Sequence, residues 1–419
     1  MRLIKIKKKQ FVTYLLLLLP LLLFIAFSRL NYEPIADEKV YFETSKIFGE
    51  KFPKLDLKNY FSYLPEFKAE KMPIAATPPL SMLLYGFIGR SFGYDLWKLR
   101  LLTAIFGIVS LITFYCIMEE LRIKNVVLKT MLFLFYPYTF LYIFTAQTDI
   151  IAICFFLLGL RFFLRNRKND LWLCILFSTL AIYTRQDYLF IVPAMMLGYL
   201  FTKKGNFLQE ILKGDSIKML AILSIPFLLV LPLFIYWGGL LPSSYSSIGN
   251  IEDKHTLAIN FEKFTFFFIL IGFFFPPLLL DGKVLSKKRQ FLFYALLIFF
   301  VIFPITSTSC EGIVCKLGNY FGFYSVFLYL LFFAAGAYIL LKNLSIKNRN
   351  DIVLLSFLAM LIVSTIITSL LRQRYYLAFI PLLVLILYKE YDNKKMLGFW
   401  LLLEVIMSIL YVYSKIFWA

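Results

Sequence analysis

Apolar runs long enough to cross a lipid bilayer follow one another through almost the whole chain, separated by short polar turns. Lipid offers no partners to backbone N–H and C=O groups. A chain of this kind must therefore fold into helices, which satisfy their own backbone, or into a closed barrel. The runs are far longer than the ~10-residue alternating strands of a membrane barrel, so helices remain. Apolar residues make up 61% of the 419, against about half in a soluble domain. The expected fold is all-α: one polytopic helical membrane domain over residues 1–419.

The first stretch, "MRLIKIKKKQFVTYLLLLLPLLLFIAFSRL", has the outline of a signal peptide. No small-x-small cleavage site follows it, and it reads as a retained first span near 11–28. Further spans fall near 98–118, 126–144, 149–164, 170–184, 188–202, 218–237, 261–280, 290–306, 322–341, 352–371, 375–388 and 396–414. That makes about thirteen. Residues 79–93, "PLSMLLYGFIGRSFG", are apolar but short and broken by glycine. They read as an interfacial or re-entrant helix closing a long first loop, 29–97, within the same domain.

The net charge is +19. In a soluble protein such a balance points to nucleic acid, but here the cations have a simpler origin. With the N-terminus inside, alternate spans leave about 25 Lys and Arg in cytoplasmic segments and about 6 in the short outer loops, as the positive-inside rule requires. Nucleic acid is therefore not an expected partner, whereas membrane lipids are. One histidine, His255, excludes a His-rich metal site, and no metal or cofactor is expected. Cys116, Cys154 and Cys174 fall in apolar runs as small core residues. Cys310 and Cys315 share one polar loop, where a local disulfide is an option in an oxidising compartment.

On this topology the outer turns carry polar residues that charge bias does not explain. Asp37 and Glu38 lie just beyond the first span. Gln147 and Asp149 follow the third, and Arg185, Gln186 and Asp187 follow the fifth. His255 lies in a longer outer loop, Asn319 in the next, and Arg372 and Arg374 in the last hairpin. A polar turn between helices is ordinarily just wet. Outer arginines are less ordinary, because positive-inside disfavours them and their planar fork matches a phosphate. Carboxylates and guanidiniums on one face suggest a site for a lipid phosphate and a hydroxyl to be deprotonated. Span centres are almost free of charge, apart from Glu404 in the last span, whereas ion-coupled transporters keep ionisable groups near the midplane.

The ordered set "ADE" at 36–38, "TPP" at 77–79, "LRLLTAIFG" at 99–107, "YPYTFLYIFTA" at 136–146, "TRQD" at 184–187, "DKH" at 253–255 and "RQRYYLAFIP" at 372–381 resembles the GT-C class of membrane glycosyltransferases. Within it, the chain is similar to the dolichyl-phosphate-glucose α-1,2-glucosyltransferases. The resemblance implies a polyprenyl-phosphate sugar donor, with glucose as the sugar, and a glycan or lipid-linked acceptor. It also implies one in-line displacement with inversion. Asp37 would be the general base. Glu38 would be a second acid or a structural partner of Asp37. Arg185, Arg372 and Arg374 would meet the donor phosphate, and Gln147, Asp149, Gln186, Asp187, His255 and Asn319 would line the substrate site. The Lys- and Phe-rich style points to a prokaryotic plasma membrane with the site facing outside, or to the lumen of the endoplasmic reticulum in a eukaryote.

Two other classes fit less well. A transporter or flippase of lipid-linked saccharides would bind the same anions without needing Asp37 as a base. Phosphoethanolamine transferases need a large soluble catalytic domain, and aminoarabinose transferases usually carry a sizeable C-terminal outer domain. Here the sequence ends about five residues after the last expected span.

The charge asymmetry sets the first test. Cysteines introduced at Ser246 and Gln373 should react with an impermeant thiol reagent added to intact cells, and Lys287→Cys should not. Labelling of Lys287→Cys from outside would contradict the thirteen-span topology.

Overall fold

The structure is a computed structural model. It describes residues 37–51, 77–167, 169–203, 207–240, 259–281, 284–305, 313–366 and 376–417, with short pieces at 19–20, 22–23, 34, 61–62, 72–73, 310–311 and 371–372. Helices α1 (Glu38–Lys51), α2 (Leu80–Phe92), α3 (Leu96–Glu120), α4 (Val126–Leu134), α5 (Pro137–Ile143), α6 (Thr148–Arg165) and α7 (Asp170–Thr184) come first. A 3₁₀ turn at Gln186–Phe190 leads to α8 (Ile191–Phe201), α9 (Phe207–Ile211), α10 (Gly214–Leu223) and α11 (Ile225–Trp237). Then come α12 (Glu262–Phe274), α13 (Lys287–Ile302), α14 (Ile313–Phe321), α15 (Ser325–Asn343), α16 (Arg349–Ile366), α17 (Phe379–Leu387) and α18 (Lys394–Phe417). Two small bridges complete the described elements. Phe61–Ser62 pairs antiparallel with Met72–Pro73, and Cys310–Glu311 pairs parallel with Leu371–Arg372.

The all-α membrane architecture expected from the apolar runs is the one observed. Among the described residues four helices, α3, α15, α16 and α18, are long and apolar enough to cross a membrane by themselves. The number is six if each of two bent pairs, α4–α5 and α10–α11, is one span. The larger number read from the sequence includes shorter apolar helices, such as Asp170–Thr184, and a first span at 11–28 that lies mostly outside the described residues.

The bends have local causes. The run 126–144 breaks by 71° between α4 and α5. Pro137 opens α5 and forces Tyr136 out of the helical region, to φ −59°, ψ 125°, because a proline ring clashes with a helical predecessor. The 46° bend between α10 and α11 falls at Ser224, just before Pro226. The helix expected over 261–280 stops at Phe274, and Pro276–Leu280 continues as a 3₁₀ turn.

Helices α12 and α15 make the most extensive helix pair, followed by α6 with α7. Small residues allow the first approach. A Cβ on Gly272 would strike the backbone of Phe332 and lie 3.0 Å from the Gly336 nitrogen, and one on Gly336 would strike the Phe268 carbonyl. Close backbone contact through small residues is how helices associate in lipid, where the hydrophobic effect gives no drive. The same device joins α1 to α2. A Cβ on Gly86 would sit 2.7 Å from the Gly49 nitrogen and 2.8 Å from the Ser45 carbonyl.

The bundle has two polar ends of different character. At one, cations cap helix C-termini, where unpaired carbonyls carry partial negative charge. Lys129 Nζ donates to the carbonyls of Tyr388 at 2.6 Å and Tyr391 at 2.9 Å. Lys342 Nζ donates to the Leu278 carbonyl, and Arg349 donates to the Leu164 carbonyl. Arg161–Glu120, Lys124–Asp392 and Lys389–Asp351 pair nearby. The hydrogen bond from Lys124, with a further one from Asn125, holds the exposed Asp392 carboxyl below its usual range. The opposite end gathers the start of α1, α3, α6 and α12 and the end of α7, and there the candidate site lies.

Valine at Gly336 should push α15 off α12. Overpacking of this kind costs about 1–3 kcal/mol, read as a lowered Tm of the detergent-purified protein. Gly398→Ala, whose added Cβ meets nothing within 4 Å, should leave Tm unchanged. A Gly336→Val protein with the wild-type Tm would contradict the packing.

Candidate functional site

The acidic pair splits as soon as the chain turns into α1. Asp37 is the residue just before the helix. Its carbonyl accepts the Tyr41 N–H at 3.0 Å, and its side chain is half-buried. Glu38 is the first helical residue, and its side chain is fully buried. Arg100, one turn into α3 and itself buried, donates Nε to Glu38 Oε1 and Nη2 to Glu38 Oε2, both at 2.7 Å. The Ala146 backbone N–H, in the turn before α6, adds a 2.6 Å bond to Oε1. One carboxylate thus ties together three segments that are distant in sequence.

Tyr85 of α2 closes this knot from the side. Its hydroxyl bonds Thr103 Oγ1 at 2.7 Å and donates to the Gln147 carbonyl at 3.1 Å. Burial, with the nearby Glu38 and Asp149 carboxylates, pushes the phenol well above its ordinary pKa. Tyr85 therefore stays neutral and serves as a hydrogen-bonding post.

A second knot sits on the other side of Gln147. Arg185, the C-cap of α7, is buried. Its Nη1 donates to Thr148 Oγ1 at 3.2 Å and lies 3.2 Å from Asp149 Oδ2, an ion pair without hydrogen-bond alignment. On its other edge, Nη2 at 2.7 Å and Nε at 3.2 Å share a single oxygen, Asp187 Oδ2. Lys263, buried at the start of α12, lies close enough to Asp187 to feel its charge. The Lys263 carbonyl accepts the Tyr376 hydroxyl at 2.9 Å, which brings the chain ahead of α17 to the same place.

The structure brings together Asp37, Glu38, Gln147, Asp149, Arg185, Gln186 and Asp187 at one end of the bundle. Gln147 is buried, with its side-chain Oε1 unpartnered among the described residues. Gln186 stands beside Asp187 on the 3₁₀ turn. Asn319, on α14, is exposed. His255 and Arg374 lie outside the described residues, as does the side chain of Arg372, whose backbone bridges to Glu311. Cys315 is disulfide-bonded, while Cys116, Cys154 and Cys174 are free. Among the described residues no three His, Cys, Asp or Glu side chains converge as metal ligands.

Three members of the site escape a sequence reading: Arg100, Tyr85 and Lys263. Arg100 had one signal, a cation two residues inside an expected span, where a charge is costly unless paired. Tyr85 and Lys263 had none, since a tyrosine in an apolar helix and a lysine at a span mouth are both ordinary.

Residues 76–237 match the family model described as dolichyl-phosphate-mannose-protein mannosyltransferase. That region runs from the turn before α2 to the end of α11 and includes Arg100, Gln147, Asp149, Arg185 and Asp187. No curated protein matches the sequence. The fold is similar to that of ArnT from Cupriavidus metallidurans, solved bound to undecaprenyl phosphate, with a TM-score of 0.52 and 13% identity over 94% of this chain. The chain spans 62% of that ArnT chain's length. The apo state of the same protein gives a TM-score of 0.42 at 14% identity, covering 94% of this chain and 77% of that one. The bundle is thus a membrane GT-C fold.

Glu38→Gln should remove the carboxylate charge that the buried Arg100 clasps. Breaking a buried pair from one side costs about 3–5 kcal/mol, so Tm should fall sharply. Replacing both Glu38 and Arg100 by leucine should recover much of that loss. A Glu38→Gln protein with the wild-type Tm would show that the pair does not hold α1 on α3.

Proposed function

We propose that this chain transfers a sugar from a polyprenyl-phosphate donor to a glycan or lipid-linked acceptor at the extracytoplasmic face of a membrane. One observation carries the reading within the site. Of the two adjacent carboxylates, Glu38 is sealed by Arg100 and Ala146, whereas Asp37 is half-buried at the mouth of the same polar end. The GT-C fold, the undecaprenyl phosphate named with the ArnT structure, and the mannosyltransferase family description over residues 76–237 support the same class.

The proposed chemistry is a single displacement. Asp37, ionised, accepts the proton of the acceptor hydroxyl as its oxygen attacks the anomeric carbon. The bond between that carbon and the phosphate oxygen breaks, and polyprenyl phosphate leaves with the electron pair. Attack opposite the leaving group inverts the anomeric centre, so a β-linked donor gives an α product. Charge developing on the phosphate is met by Arg185, Arg372 and Arg374. Glu38 takes no proton in this scheme; it holds Arg100 and fixes the start of α1, and with it Asp37. Gln147, Asp149, Gln186, Asp187, His255 and Asn319 complete the proposed substrate-binding set. Glucose is the proposed sugar, on the sequence resemblance.

Glu404, the charged residue of the last span, has a packing role that needs no transport. The buried Glu404 accepts a 3.0 Å bond from Trp400 Nε1, one turn earlier in α18, and the same Nε1 donates to the Phe274 carbonyl of α12. That is a helix-packing contact of the kind polar groups make in lipid.

Asp37→Asn keeps the shape of the side chain and removes its basicity. Transfer should fall by about 10²–10⁴-fold, with donor binding largely retained. The purified wild type and variant are compared for transfer of radiolabelled sugar from polyprenyl-phosphate glucose and, separately, for donor affinity. Near-normal turnover of Asp37→Asn would remove Asp37 from the chemistry. Donor binding by the wild type with no transfer to any acceptor would favour the transporter.

A further inference from the structure

Among the described residues two carboxylates compensate Arg185, in very different settings. Asp149, with 6% of its side chain exposed, lies under the guanidinium beside Thr148. Asp187, with 43% exposed, covers the opposite edge. That outer edge, Nε with Nη2, is the one that grips two oxygens of a phosphate in parallel. Here both nitrogens of that edge donate to one oxygen of Asp187, Oδ2. Asp187 reaches it from only two residues away, on the 3₁₀ turn that follows α7. A second buried basic residue, Lys263, lies within Asp187's electrostatic reach from α12.

We infer that Asp187 is a placeholder anion: it occupies the outer edge of Arg185 in the donor-free protein and yields that edge to the lipid phosphate when donor binds. The inference rests on the phosphate-binding role proposed above for Arg185. The exchange keeps charge balanced, because one anion leaves the guanidinium as another arrives. Asp187 is the partner able to leave, since its carboxylate is already partly hydrated and loses little by swinging into water. Asp149 stays and keeps the buried guanidinium from standing uncompensated.

The device also acts on release. A sugar-linked phosphodiester carries one negative charge, whereas the polyprenyl phosphate left after transfer is a monoester with a second pKa near 6 and about −1.5 to −2 at pH 7. A displaced Asp187 beside it repels the product more than the donor and competes to reclaim Arg185. Asp187 therefore sets the affinity for the spent lipid and speeds its departure.

The test is binding of undecaprenyl phosphate to the full-length protein in lipid nanodiscs, wild type against Asp187→Asn, Asp187→Ser, Asp187→Glu and Asp149→Asn. Each variant is first checked for a wild-type-like Tm. Asp187→Asn and Asp187→Ser should each tighten binding by about 10-fold, the scale of one charge-assisted contact. Asp187→Glu should stay near the wild type, and Asp149→Asn should not tighten binding. Turnover of Asp187→Asn at saturating donor should fall, with added undecaprenyl phosphate inhibiting it more strongly than the wild type. Unchanged or weaker binding by folded Asp187→Asn and Asp187→Ser, beside a wild type that binds, would overturn the placeholder and leave the phosphate site standing. Loss of fold in both of those variants would make Asp187 a structural tie and overturn it equally. Binding by neither the wild type nor any variant would overturn both the placeholder and the phosphate site.

Discussion

The buried pair between Glu38 and Arg100 decides where the polar end of the bundle sits. Two charges taken out of water lose several kcal/mol of hydration each, and their attraction repays that only with good geometry and satisfied hydrogen bonds. Both conditions are met. The contacts are bidentate at 2.7 Å, and the Ala146 N–H supplies a third donor. Such a pair adds little net stability over a well-packed apolar one, and its value lies in register. A shift of α1 by one residue would carry Glu38 away from Arg100 and the Ala146 N–H. The mouth of the first loop is thereby fixed against α3 and the turn before α6.

The second knot follows from the first through a short piece of chain. Ala146 holds Glu38, the Gln147 carbonyl holds Tyr85, and Thr148 and Asp149 hold Arg185. Four consecutive residues, between the end of α5 and the first turn of α6, therefore connect the acidic loop to the arginine turn. The bend at Pro137 contributes to their placement, because it re-aims α5 by 71° before this piece begins. The opposite end uses cations differently. Lys129, Lys342 and Arg349 reach backbone carbonyls at helix ends, beside carboxylate pairs such as Lys342–Asp281 and Lys389–Asp351. At the site end Arg100 and Arg185 meet carboxylates.

Much of this was legible in the sequence, because lipid enforces it. Apolar runs can only be helices there, and most helices lie within a few residues of the runs that encode them. The breaks at Pro137 and Pro226 were visible as residues but not as angles, since a proline can kink a span or end it. The convergence of Gln147, Asp149, Arg185 and Asp187 at one end followed from alternation alone. The unequal burial of Asp37 and Glu38 did not, because it depends on Arg100, 62 positions further along. Neither did the double compensation of Arg185, which depends on how α7 ends against α6. Local pattern carries periodicity and topology; which charge meets which is settled by packing between segments far apart in sequence.

The most direct measurement is an experimental structure of the protein with a polyprenyl-phosphate sugar bound in a lipid nanodisc. The phosphate should lie against the outer edge of Arg185 with Asp187 turned away. The sugar should lie toward Asp37, and Glu38 should still be clasped by Arg100 and Ala146. A sugar placed against Glu38, with Arg100 released to the phosphate, would contradict the assignment of the acidic pair. A phosphate seated at the Lys129 end of the bundle would contradict the site itself.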